Sequence, residues 1–158
     1  MKSNKEILVN DIWNKKKSED LKDFILSHSK KQSDERKLRN ELLSIQFQIE
    51  DYIENDSYSN KLLIFDFVKM YLKTLNVTQK KLANLFEMKD SNLHKYLVGE
   101  RKLNANIVLK LSSFSHTTPE HWLRVQVKNE LIEITKEKAN AGKYQKYDYR
   151  NLLVTSED

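Results

Sequence analysis

Two glycines and one proline serve a chain of 158 residues, and that scarcity constrains the fold more than any other feature. Hairpins, barrel corners and phosphate-cradling loops all draw on these residues for their turns. An all-α fold is therefore the expectation. The dinucleotide fingerprint, the P-loop and the nucleophile elbow each need at least two glycines close together, and Gly99 and Gly142 stand far apart. With 39% hydrophobic and 32% charged residues the chain can bury a modest core beneath a charged surface, at a length that suits one domain with an appendage.

Zero cysteines exclude disulfides, thiolate zinc sites and cysteine nucleophiles, and agree with a reducing cytoplasm. His28, His94, His116 and His121 lack the i, i+4 pairing with an intervening Glu that a helical zinc hydrolase uses. No metal and no cofactor are expected. No apolar run approaches the ~20 residues of a membrane span, and Met1 to Met70 shows no short apolar segment leading to a small-residue cleavage site. The expectation is a soluble, cytoplasmic protein without membrane contact. Asp, Glu and His are plentiful, yet no spacing fixes a nucleophile, a base and an oxyanion donor together, so no enzyme is read here.

The formal net charge of +5 is unevenly spread. Residues 1–60 carry 11 Lys/Arg against 12 Asp/Glu, residues 61–104 carry 9 against 4, and residues 105–158 carry 8 against 7. A positive middle between near-neutral ends is the pattern of a localised polyanion footprint, because phosphate binding releases counterions where Lys and Arg concentrate.

The N-terminal third reads as two or three helices. Ile7, Leu8, Ile12 and Trp13 pair at helical spacing ahead of Lys15-Lys16-Lys17. Ser18 with Glu19 and Asp20 then has the form of an N-cap with an acidic first turn, followed by the stripe Leu21, Phe24 and Ile25. His28 to Ser33 reads as a polar connector. Beyond it Leu38, Leu42, Ile45, Ile49 and Tyr52 step by four, three, four and three, a coiled-coil-like seam open between bundle core, dimer contact and partner-binding surface. Asn55 to Asn60, rich in Asn, Asp and Ser, reads as a linker.

From Lys61 the period sharpens. Ile64, Val68, Tyr71, Leu72 and Leu75 form the apolar face of a helix ending near Asn76, a residue that tolerates the left-handed conformation. Thr78 can cap a short helix bearing Leu82, Ala83 and Leu85, and Met88, Leu93, Tyr96 and Leu97 restart the period until Gly99 stops it. A further helix from Asn104 turns Ile107, Val108 and Leu111 inward. Thr118-Pro119 opens another in N-cap/N1 order, with Trp122, Val125 and Leu131 on its buried side. Lys138 to Asp158 reads as a polar, tyrosine-dotted tail, loose unless a partner orders it.

The segment Asn76-Val77-Thr78-Gln79-Lys80-Lys81-Leu82-Ala83, followed by Met88, Leu93, Tyr96 and Gly99, resembles the helix-turn-helix of Cro-like and XRE-type repressors. Gly99-Glu100-Arg101-Lys102-Leu103, then Pro119-Glu120-His121-Trp122-Leu123 and Gln126, narrow the likeness to the HigA-type antitoxin branch. The resemblance covers about residues 61–130. It implies a five-helix lambda-repressor-like helix-turn-helix domain over 58–138, preceded by a helical N-terminal region (1–57) for toxin binding or dimerisation and followed by a tail (139–158). Leu82, Leu93 and Leu97 would clamp the two short helices, with Ala83 small enough for close approach. In this family the second short helix enters the major groove, which gives Lys89, Asp90, Ser91, Asn92, His94 and Lys95 base-edge or backbone reach. Gln79 would sit at a phosphate, and Arg101 and Lys102 would clamp the backbone.

What the resemblance implies is a homodimeric repressor of its own operon, reading an inverted repeat in double-stranded DNA, and an antitoxin that silences a cognate ribonuclease toxin. A stand-alone or prophage-type regulator without a toxin is the alternative, as is an interaction module that has lost DNA binding. Two departures bear on the choice. Glu87 stands where the turn usually has Gly, at a penalty of roughly 1 kcal/mol for a left-handed backbone. Lys89 stands at the usual Ser/Thr cap, so Asp90 is a candidate cap, shifting the helix start by one residue, or a base contact to cytosine.

Overall fold

A computed structural model of the chain describes residues 3–154, and among them every regular element is a helix. In chain order these are α1 (Ser3–Glu54), α2 (Ile64–Leu75), α3 (Gln79–Leu85), α4 (Asp90–Leu97), α5 (Ala105–Ser115), α6 (Pro119–Glu137), a 3₁₀ segment (Lys138–Tyr147) and α7 (Arg150–Val154).

The chain divides into two units between Leu43 and Ser44, inside α1. The expected two or three N-terminal helices are thus one element of 52 residues. No Gly or Pro occurs before Gly99, and the polar run His28 to Ser33 is helix-compatible, so nothing breaks the hydrogen-bond ladder. Local pairs bridge the supposed connector: Phe24 stacks on His28 with centroids 6.0 Å apart, and Gln32 Nε2 lies 3.2 Å from His28 Nε2. Ser18, read as a cap, lies in mid-helix. The side chains of Ile7, Leu8, Ile12 and Trp13 lie outside those described.

In the second unit each helix of the central run begins and ends where local chemistry dictates. The Leu63 amide donates to Asp66 Oδ2 at 2.8 Å to start α2, and Asn76, at φ 54°, closes it. Thr78 Oγ1 accepts from the Lys81 amide at 3.2 Å, and Asn104 Oδ1 from the Ile107 amide at 3.0 Å. Pro119 occupies the first position of α6. α3 packs on α4, α2 on α4 and α6, and α5 on α6.

The core between them is built from Phe67, Val68 and Tyr71 of α2, Leu82 and Ala83 of α3, Leu93 and Leu97 of α4, Ile107, Val108 and Leu111 of α5, and Trp122, Val125 and Ile132 of α6. Trp122 Nε1 donates to Ser115 Oγ at 3.1 Å, and that hydroxyl donates to the Leu111 carbonyl at 2.6 Å. Among the described residues no buried side-chain polar atom lacks a partner.

Two apolar positions differ from the sequence expectation. Leu85 is exposed and Phe86 takes its place in the core; Leu131 is exposed and Ile132 is buried. In both cases the buried residue lies one position on, because a helical face drifts with the 3.6-residue repeat.

Ile45, Ile49 and Tyr52, the C-terminal half of the predicted seam, are buried in this unit. Tyr52 donates its hydroxyl to Asn129 Oδ1 at 2.5 Å and accepts from the Leu62 amide at 3.1 Å. Lys128, buried on α6, donates to the Asn55 carbonyl at 2.6 Å and to the Tyr52 carbonyl, placing a cation on the electronegative end of α1. Asn55 to Asn60, read as a linker, is therefore a loop within the second unit.

The expected loose tail also carries local structure. Asp148 Oδ1 accepts from the Arg150 amide at 2.9 Å and so initiates α7, while Tyr144, Tyr147 and Tyr149 stay exposed; residues 155–158 lie outside the described residues.

Candidate nucleic-acid interface

The turn between α3 and α4 is built on Glu87, whose φ is 57°. This left-handed residue lets the Met88 amide reach the Ala83 carbonyl at 3.0 Å and the Glu87 amide reach Asn84 at 3.1 Å, satisfying the orphan carbonyls at the end of α3. Glutamate, not the glycine that such a left-handed position favours, thus carries the strained backbone of this turn.

Lys89 is the N-cap of α4, with extended backbone and no side-chain capping bond, and the helix starts at Asp90. Asp90 therefore does not cap, and the start is not shifted. Its Oδ1 instead accepts from Gln79 Nε2 at 2.7 Å, tying the first residue of α3 to the first of α4. A carboxylate in the first turn also suits the electropositive helix end. The contact occupies part of the polar capacity of both Gln79 and Asp90, each expected to face a nucleic acid on its own.

Leu93 and Leu97 point into the core, so α4 turns its other face outward. Lys89, Asp90, Ser91 and His94 are exposed, and Asn92 and Lys95 are half-buried. His94 sets its ring edge-on to Phe65 of α2, centroids 5.3 Å apart, and Lys69 Nζ lies 4.8 Å over the same Phe65 ring. Lys69 thus joins this surface from a helix the motif did not include. Its signal was present in the sequence, four residues after Phe65 on the polar side of α2.

Gly99, at φ 83°, ends the turn after α4, and the Arg101 amide returns to the Lys95 carbonyl at 3.1 Å. A Cβ at Gly99 would meet nothing within 4 Å, so the glycine answers to backbone conformation alone. Arg101 is exposed, with its guanidinium carbon 6.0 Å from the Tyr96 ring. Lys102 differs, since its ammonium lies 3.5 Å from Glu130 while remaining largely exposed. The loop is fixed from beneath by Gln126, whose Oε1 accepts from the Leu103 amide at 2.7 Å.

The structure thus gathers Gln79, Lys89, Asp90, Ser91, Asn92, His94 and Lys95 around α4, with Arg101 just beyond its end. Lys89, Lys95 and Arg101 have no carboxylate within ion-pair distance among the described residues, whereas Lys102 does. Among those residues no group of three His, Cys, Asp or Glu could hold a metal ion, and no helix is long and apolar enough to cross a membrane.

Comparison with known proteins yields no match to a family model, a curated protein or a solved structure.

Proposed function

We propose that α2–α6 form a five-helix lambda-repressor-like helix-turn-helix domain and that the protein is a sequence-specific DNA-binding repressor of the XRE/Cro-like type, acting as a dimer on an inverted repeat. In this reading α4 is the recognition helix. Ser91, Asn92 and Lys95 face base edges, while Lys89 and Arg101 hold phosphates to either side. Gln79 and Asp90 act as one unit, the carboxylate fixing the amide at the start of α3. The resemblance to HigA-type antitoxins extends the proposal to an autorepressor that also neutralises a ribonuclease toxin encoded beside it.

The observation that carries the reading is the outward face of α4: short enough for a major groove and, among the described residues, uncovered and flanked by cations without acidic partners. The concentration of positive charge over residues 61–104 supports it.

Titration of the DNA upstream of its own gene tests it. Lys95→Ala and Arg101→Ala each weaken binding by about five- to tenfold with helicity unchanged, and loss of the Arg101 phosphate contact lowers the salt slope by ~0.9. Absent or salt-insensitive binding refutes the proposal. Capture of a toxin-sized protein without any operator shift would favour an interaction module instead, and a neighbouring gene for a small basic ribonuclease separates the antitoxin from a stand-alone regulator.

A further inference from the structure

We propose that the first unit pairs with the same unit of a second copy as an antiparallel coiled coil, centred between Lys31 and Glu35. From Lys15 to Leu43 every residue of α1 is exposed except Leu42, which is half-buried. Leu21, Phe24, Ile25 and Leu38 are 58%, 67%, 54% and 39% exposed. A helix this long draws its stability from packing an apolar face, and this stretch has no such packing among the described residues.

The face follows a heptad. Continuing the step of four and three backward from Leu42 gives Leu38, Glu35, Lys31, His28, Phe24 and Leu21 as the core positions. Three heptads with apolar ends and a charged middle determine both the occupant and its direction.

In a parallel pair each core position meets itself, setting Lys31 against Lys31, Glu35 against Glu35 and His28 against His28 in a partly desolvated seam. In an antiparallel pair with its dyad between positions 31 and 35, Lys31 of each copy meets Glu35 of the other, His28 meets Leu38, and Phe24 meets Leu42. The seam then holds two ion pairs at its centre, a His28–Leu38 layer outside each and a Phe24–Leu42 layer beyond. At the rim the comparison runs the other way: Asp34 would pair with Arg39 in the parallel arrangement and meets its own symmetry mate in the antiparallel one. Rim charges are water-exposed and screened, so the core layers decide. The occupant is a second copy because the helix is its own charge complement. The pairing does not rest on the DNA reading, since operator binding and self-association are separate measurements and either can fail alone.

The absence of cysteine makes the test direct. In the antiparallel pair Ile25 lies beside Arg39 of the other copy; in a parallel pair these positions are about 21 Å apart along the axis. An equimolar mixture of full-length Ile25→Cys and Arg39→Cys therefore forms mixed disulfide dimers under mild oxidation, and neither variant cross-links alone. By sedimentation equilibrium Lys31→Glu raises the dimer dissociation constant about tenfold, and Lys31→Glu combined with Glu35→Lys restores it. Self-cross-linking of Ile25→Cys, indifference of the dimer to Lys31→Glu, or a monomer at micromolar concentration with helicity intact overturns the proposal.

Discussion

Replacing Glu87 with glycine should stabilise the protein. Glu87 sits at φ 57°, exposed, with no hydrogen bond or ion pair from its side chain among the described residues. An L-residue in this region costs about 1–2 kcal/mol relative to right-handed backbone. Glycine removes that strain and loses about 0.5–1 kcal/mol through the greater freedom of its unfolded chain. The balance is a gain of about 0–1.5 kcal/mol, or up to ~5 °C in Tm for a unit of this size. Glu87→Ala is the control, because it removes the same charge and keeps the Cβ, and so leaves stability nearly unchanged. Thermal and urea unfolding of the two variants and the parent, followed by circular dichroism, separate the backbone effect from the electrostatic one. A loss of stability in Glu87→Gly, or an equal gain in Glu87→Ala, would refute the account of this turn. In the DNA-binding reading both variants also bind operator more tightly than the parent, since each removes a negative charge beside the phosphates.

Other perturbations probe the scaffold beneath the interface. Leu93→Ala empties a fully buried position between α4 and its neighbours and lowers stability by about 2–5 kcal/mol in denaturant titration. Gln126→Ala leaves the Leu103 amide without its acceptor, at about 1–3 kcal/mol, and in the DNA-binding reading also weakens operator binding by loosening Arg101. Glu50 is held below the usual glutamate range by its hydrogen bond from His121, 3.0 Å away, with a smaller contribution from Gln46. Its lowered folded value means that it stabilises the protein above the unfolded value and that this contribution is lost as pH falls through the folded one. Stability curves at stepped pH should show Glu50→Gln flattening the acid limb.

The features legible in the sequence are those set by near neighbours. Thr78, Asn104 and Thr118-Pro119 marked helix starts, and Asn76 and Gly99 marked ends, because capping and left-handed closure depend on a few adjacent residues. The strain at Glu87 was legible for the same reason. The apolar sets Leu82/Leu93/Leu97 and Ile107/Val108/Leu111 followed from period alone. What escaped required either an absence or a distant partner. The single long α1 follows from the lack of any breaker, a weaker signal to the eye than the polar residues 28–33. The Gln79–Asp90 bond joins residues eleven apart across a turn, and sequence could offer only a choice between cap and base contact for Asp90. Lys128 reads as a surface lysine until the end of α1 is seen lying against it, and Lys69 enters the candidate interface only through the packing of α2 on α4.

The central claim is that the outward face of α4 engages duplex DNA, and amide chemical-shift mapping of the full chain titrated with its own upstream region tests it most directly. The account predicts the largest perturbations at Ser91, Asn92, Lys95 and Arg101, weakening together as salt rises. Perturbations confined to other surfaces, or none at low ionic strength, would contradict it.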